Sequence, residues 1–410
     1  MEIKSVLFIG FVWPEANSSA AGSRMMQLIR YFKDLGAKIT FASAAKPGSH
    51  PSDLRALGVD NVSIKLNDSS FDDFIKTLQP EAVVFDRYMT EEQFGWRVAE
   101  SCPDSIRILD TEDLHSLRAV RERCSKNGVP FTEEKLLSSE LAKRELASIY
   151  RSDLSLIISE FELQLLEDLF GVSPDLLLYL PLVVEQEILD NKEWQTKHDF
   201  VFIGNFMHSP NWDAVLNLKN NIWPRIRQNL PGVNLHIYGA YTSEKVSQLH
   251  HKQSGFLVHG WAQSAREVFQ SARVCLAPIR FGAGLKGKLL EAMHFGTPNV
   301  TTSVGAEGIQ GNMPWGGFIE DQWDAFSMAA VTLYTDEKSW NASREGGYKL
   351  INDRFDTTVH FKGFQNRLLQ MIPDLKSHRN KNFIGAMLTQ QTTSASKYLS
   401  KWIEAKNRKN

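Results

Sequence analysis

Only three cysteines occur in 410 residues, Cys102, Cys124 and Cys275, scattered and odd in number. That excludes a disulfide framework or a cysteine metal cluster and suits a reducing compartment. No apolar run approaches the ~20 residues that span a bilayer. The opening M-E-I-K-S-V-L-F-I-G is too short and wrongly flanked for a signal peptide. Neither sign of charge dominates: 46 Lys and Arg stand against 48 Asp and Glu. No global basic field therefore argues for nucleic acid. An Asp-x-Asp pair, a common way to hold a divalent metal against a diphosphate, is absent from the whole sequence.

What is present is the composition of a globular protein, 42% hydrophobic and 23% charged, in a chain too long for one ordinary core. Two runs echo each other. S-V-L-F-I-G ends at Gly10 and D-F-V-F-I-G at Gly204, 194 positions later, about one α/β domain. Each is β-rich and hands over to a polar loop and a helix. Strands follow at 38–42, 82–85, 106–109 and 154–158, with helices at 23–35 and, long, at 133–150. The second half repeats the rhythm, with strands at 201–203, 235–238, 256–258, 274–277 and 299–302 and helices at 212–220, 244–251, 264–271 and 288–295. Alternation of short strands and helices predicts parallel sheets. The expected architecture is α/β, two facing Rossmann-like domains with a C-terminal helical extension. The expected limits are 1–185 for the first domain, 186–198 for a polar linker, 199–360 for the second and 361–410 for a helical, basic tail. Ligands of such sheets bind beyond the carboxyl ends of the strands, which puts one cleft between the domains.

The segment 275–308 carries the most chemistry. An apolar run ends at Pro278, and Arg280, Gly282, Gly284, Lys286, Gly287 and Lys288 follow before a helical run containing Glu291. Exposed N–H groups, a helix N-terminus and clustered cations favour an anion, and glycine lets it approach the backbone. The spacing reads as a diphosphate pocket. Arg280 can grip two oxygens, while Lys286 and Lys288 act as point charges. Glu291, one turn into the helix, suits a ribose diol. Gly282-x-Gly284-x-x-Gly287 also matches a dinucleotide fingerprint, with Glu307 about 20 residues on. That fingerprint belongs in the first turn of its domain, and this turn is about the fourth.

R-F-G-A-G-L-K-G-K-L-L-E-A-M-H-F-G-T-P-N-V-T-T resembles the donor-site motif of retaining glycosyltransferases of family 4, which have the GT-B fold. F-I-G-N-F-M-H-S-P-N-W-D-A, with Gly204 and Asn205, resembles the opening of their second domain, and L-I-I-S-E-F-E with L-P-L-V-V-E the end of their first. The resemblance spans most of residues 1–365. It implies a nucleoside diphosphate sugar bound in the second domain as co-substrate, no cofactor, and metal-independent transfer with retention. Glu291 matches the second glutamate of the family's E-x7-E motif, which holds the ribose; the first falls on Ala283, a departure. Arg280, Lys286 and Lys288 fall where diphosphate cations are expected, and Gly260-Trp261-Ala262 where the base is cupped. His115, in L-D-T-E-D-L-H-S-L-R past a strand, falls where a histidine meets the donor sugar. Asp113, Arg118 and Arg24 join it on the acceptor side. The loop 17–24, with Gly22, is read either as meeting the diphosphate or as an ordinary helix cap by Ser18, Ser19 or Ser23.

The expected catalytic set is His115, Lys288 and Arg280, on a glycan, lipid-linked or small-molecule acceptor. Alternatives are a nucleotide-sugar epimerase of the same fold, a non-catalytic nucleotide-binding subunit and, least favoured, a nicotinamide-dependent oxidoreductase. The tail from Lys376 holds eight Lys or Arg and one acid, Glu404, with Tyr398, Leu399, Trp402 and Ile403 on one helical face. The favoured reading is a helix packed back on the protein, and the other an anchor on an anionic membrane. The expected location is cytoplasmic, with peripheral contact on the inner face of the membrane as that second reading. Cell-surface polysaccharide assembly is the process the resemblance suggests.

Overall fold

The computed structural model describes residues 3–185 and 193–408, apart from the side chains of 391–394. Two parallel sheets organise it. The first has seven strands in the order β3-β2-β1-β4-β5-β6-β7. These are β1 (Ser5–Gly10), β2 (Lys38–Ser43), β3 (Asp60–Ser63), β4 (Ala82–Asp86), β5 (Ile106–Asp110), β6 (Leu154–Ile157) and β7 (Leu177–Tyr179). The second has six in the order β10-β9-β8-β11-β12-β13. They are β8 (His198–Ile203), β9 (Leu235–Tyr238), β10 (Phe256–Gly260), β11 (Ala272–Ala277), β12 (Asn299–Thr301) and β13 (Gly317–Ile319). The strand order reverses between β1 and β4 and between β8 and β11. Each reversal opens a crevice at the carboxyl ends of those strands.

Both sheets are covered on both faces, so central strands such as β4, β6 and β11 are buried along their whole length. Leu7 and Ile9 of β1 pack with Phe94, Leu117 and Ile149 on one side. Val6 and Phe8 pack with Met25, Ile29 and Phe32 on the other. The second sheet buries Phe200, Phe202, Val274 and Leu276 beneath Val215, Trp223, Phe326 and Trp340.

The chain crosses between the domains twice, side by side: Val184 N–H donates to Phe355 O at 2.8 Å. Helix Thr357–Met371 then returns to the first domain. Its Phe361 stacks on Tyr31 at 4.6 Å, and its Phe364 and Leu368 complete the first core. Helices Leu375–Lys381 and Phe383–Asn407 follow on the same domain, which is the packed-back tail.

Several boundaries differ from expectation. The long helix at 133–150 is two, Glu133–Leu137 and Glu140–Arg151, because Ser138 and Ser139 end the first turn and restart the second. The helix at 244–251 stops at Ser247. Strands β3, β7 and β13 are edge strands of three or four residues. Of the expected linker, 186–192 lies outside the described residues, Trp194–Thr196 is a short 3-10 turn and His198 already belongs to β8.

Candidate functional site

The glycine loop leaves β11 at the second reversal, and helix Gly287–His294 begins at its end. Across the cleft, helix Ala20–Asp34 begins with Ser19 as its cap, the Gly22 N–H donating to Ser19 Oγ at 3.0 Å. The two helix N-termini meet: a Cβ on Gly287 would lie 2.9 Å from the Ala20 Cβ. Two converging N-termini concentrate unpaired N–H groups and positive potential on one spot.

Lys288 stands in this spot. Its ammonium reaches Asn211 Oδ1 and lies 4.3 Å from the centre of the Phe202 ring. Burial pushes its pKa down to about 8. The fit depends on Gly204, where a Cβ would sit 2.8 Å from Lys288 Nζ and 2.7 Å from Asn211 Cγ. Asn205 adds cross-cleft contact, its amide donating to Ser18 O, and its carbonyl accepts from Asn211 Nδ2 at 2.8 Å. Glu291, one turn along, has apolar surroundings that push its pKa up to about 7, with Lys288 pulling the other way. A carboxyl poised there accepts or donates to a diol.

The rest of the loop faces the first domain. Lys286 is the helix N-cap residue, and its Nζ donates to Gly284 O at 2.9 Å; burial lowers its pKa. Gly284 has φ 60° and approaches the first domain so closely that a Cβ would be 2.8 Å from Asp113 Cβ. Its N–H donates to Glu162 Oε1 at 2.7 Å, an oxygen that also accepts from Leu114 N–H. Burial pushes the Glu162 carboxyl well above the usual carboxylate range. Ala283, beside it, packs on the first domain's core.

On that side His115 opens helix His115–Lys126, whose first N–H groups are capped from another helix. The His115 and Ser116 N–H groups donate to the two oxygens of Glu145 at 2.8 and 3.1 Å. The His115 ring lies edge-on to Tyr88 and 3.4 Å from Asp113. Burial lowers its pKa to about 4, so it is neutral at physiological pH. Against burial, Arg118 holds Asp113 below its ordinary value. Arg118 also reaches across to His208 at 3.1 Å.

Four expected site residues are engaged elsewhere. Arg24, placed on the acceptor side by sequence, is 1% exposed, sealed under its helix, bonding Asp110 and the Pro181 carbonyl. It ties helix to sheet. Arg280 makes a two-point pair with Asp213 at the rim, leaving buried Lys286 and half-buried Lys288 as the cations at the helix start. Glu307 pairs in two bonds with Arg121, whose guanidinium also donates to Gly282 O. Trp261 stacks on His50 at 4.1 Å and donates to Asn17 O, so its ring bridges the domains. Asn211, Glu162, Glu145 and His208 were missed. Asn211 had a signal, lying seven residues past Gly204 at the start of the next helix; the buried glutamates had none.

Residues 197–336 match the family Glycosyl transferases group 1. The match falls within the second domain. The whole chain shares its fold with solved GT-B structures. TarM matches with a TM-score of 0.67 at 9% identity, over 89% of this chain and 98% of that one. This chain spans 57% of the length of a TarM mutant of S. aureus that it also matches. Anabaena Alr3699/HepE, solved with UDP and glucose, matches with a TM-score of 0.64 at 10% identity, over 90% and 100%. Sucrose-phosphate synthase of Thermosynechococcus elongatus matches with 0.64 at 13%, over 90% and 99%. No curated protein matches in sequence. The matched stretch holds the glycine loop, Lys288 and Glu291, and the turn after β11 is the fourth strand–helix turn of the second sheet.

Proposed function

We propose that the chain is a retaining glycosyltransferase that moves a sugar from a nucleoside diphosphate sugar to an acceptor hydroxyl. The observation that carries this reading is the convergence of two helix N-termini on the half-buried Lys288, with Glu291 one turn away. Loop N–H groups and Lys288 hold the diphosphate, Lys286 supports it from the first-domain side, and Glu291 takes the ribose diol. Fixed cations and N–H donors neutralise the leaving group as its charge grows, so the proposed transfer needs no metal. The absence of an Asp-x-Asp pair supports this.

The acceptor enters beside His115 and Asp113. Neutral His115 hydrogen-bonds a sugar hydroxyl, held in place by Glu145 behind its backbone. The departing phosphate oxygen takes the acceptor proton on the face it leaves, so retention follows without a separate protein base. Closure across Arg121–Glu307, Trp261–His50 and the Tyr241–Glu15 bond at 2.7 Å excludes water and aligns the reactants. A cytoplasmic location and a role in cell-surface polysaccharide assembly belong to the same reading. The test is a thermal-shift screen of nucleotide sugars, followed by the anomeric configuration of the product made from whichever binds. Retention supports the proposal; inversion, or hydrolysis without transfer to any offered acceptor, contradicts it.

A further inference from the structure

Helix Phe383–Asn407 is turned inside out. Its inward side is polar. Arg97, 2% exposed, donates to Ser400 Oγ at 2.9 Å and pairs with Glu404. Lys397 pairs with Glu100, and Asn382 donates to the Tyr150 carbonyl. Its outward side is apolar near each end: Phe383 is 71% exposed with Ile384 and Met387 about half exposed, and further on Tyr398 is 70%, Leu399 60% and Trp402 60% exposed. A helix on a protein bathed in water shows the reverse arrangement. An exposed cluster such as Tyr398, Leu399 and Trp402 marks a surface that something covers.

The charge around it says what. Lys401, Lys406 and Arg408 are exposed, and the Lys406 ammonium lies 5.4 Å from the centre of the Trp402 ring. The one acid from residue 376 onward, Glu404, is turned inward and neutralised by Arg97. The outward face therefore joins interfacial aromatics to cations with no acid among them. Among the described residues no helix is long and apolar enough to cross a membrane. A second copy of this chain would bring like charges together across a two-fold axis.

We infer that this face lies on an anionic lipid surface, with Tyr398, Leu399 and Trp402 in the headgroup boundary and Lys401 and Lys406 on lipid phosphates. Aromatic side chains favour that boundary, and basic residues beside it are attracted to anionic leaflets. The inference is independent of the sugar-transfer reading, because vesicle binding needs no nucleotide.

The experiment is flotation of the full chain with vesicles of phosphatidylglycerol and phosphatidylcholine, against pure phosphatidylcholine. The expected result is binding to the anionic vesicles only, released by high salt. Two double variants at exposed positions, Trp402→Ser with Leu399→Ser and Lys401→Glu with Lys406→Glu, each weaken it by about tenfold or more, with melting temperatures unchanged. Failure of the wild type to float with anionic vesicles overturns the inference, as does undiminished binding by both variants. Sedimentation showing concentration-dependent dimers that the Trp402→Ser and Leu399→Ser variant abolishes also overturns it, in favour of a second copy.

Discussion

At the scale of single residues, Lys288 decides how the proposed site behaves with pH. Its pKa of about 8 in the free protein reflects burial, and a bound diphosphate raises it by supplying the missing countercharge. Binding then carries a proton with it. Affinity for a nucleoside diphosphate should be flat below pH ~8 and fall about tenfold per unit above it. Lys288→Arg stays charged throughout that range, so calorimetry across pH should show the decline in wild type and not in the variant. Gly204→Ala tests the same pocket sterically. The added methyl meets the flexible end of Lys288 and the Asn211 amide. Folding should suffer little, while diphosphate affinity drops about tenfold, the effect of losing one charge-assisted contact of roughly 1.5 kcal/mol. Unchanged affinity would mean that neither group touches the ligand.

Elements, rather than residues, show where sequence reading reached and where it stopped. Helix His115–Lys126 starts at a buried N-terminus whose cap comes from Glu145, thirty positions away in another helix. Glu145→Ala leaves two N–H groups and the Ser116 hydroxyl without that acceptor and should cost about 2 kcal/mol in urea unfolding. Burial also raises Glu145 from an ordinary 4.5 to about 7, outweighing its hydrogen bonds. The folded state therefore binds the extra proton, and this group's contribution to stability falls as pH rises from 4.5 to 7. Glu145→Gln should remove that slope. Nothing local announces such a cap, because its partners are distant in sequence. By contrast, β1 and the centre of β8 are buried, and their apolar runs and F-I-G endings declare them. The glycine loop after β11 was legible for the same reason: strand, glycines, cations and helix start are consecutive. Edge strands β3, β7 and β13 were not, being too short to show a period. A helix is expected between strands β4 and β5, but the bounds of Arg87–Ser101 were not declared, because its buried face includes Glu91 and Arg97, charges neutralised by Arg151 and by Asp72 and Glu404. Arg24 misled because a lone arginine near a loop reads alike whether it faces a ligand or Asp110.

At the scale of the whole molecule, the two domains are locked by polar contacts rather than by an apolar interface alone. Arg121 with Glu307, Arg354 with Glu160 and Arg118 with His208 span the cleft. Interfaces of this polarity permit domain motion, which substrate entry requires. Arg121→Ala removes a two-point bond and the contact to Gly282 O. It should enlarge the radius of gyration seen by small-angle scattering, and a nucleotide sugar should restore part of the closure. The central claim is that protein cations and helix N-termini alone hold a diphosphate between these domains. Titration of UDP and of GDP into the protein in EDTA, with Lys288→Ala alongside, tests it most directly. The claim predicts binding of at least one nucleotide without metal, weakened roughly tenfold or more in Lys288→Ala. Binding that appears only with added magnesium or manganese, or that is equal in the two proteins, would contradict it.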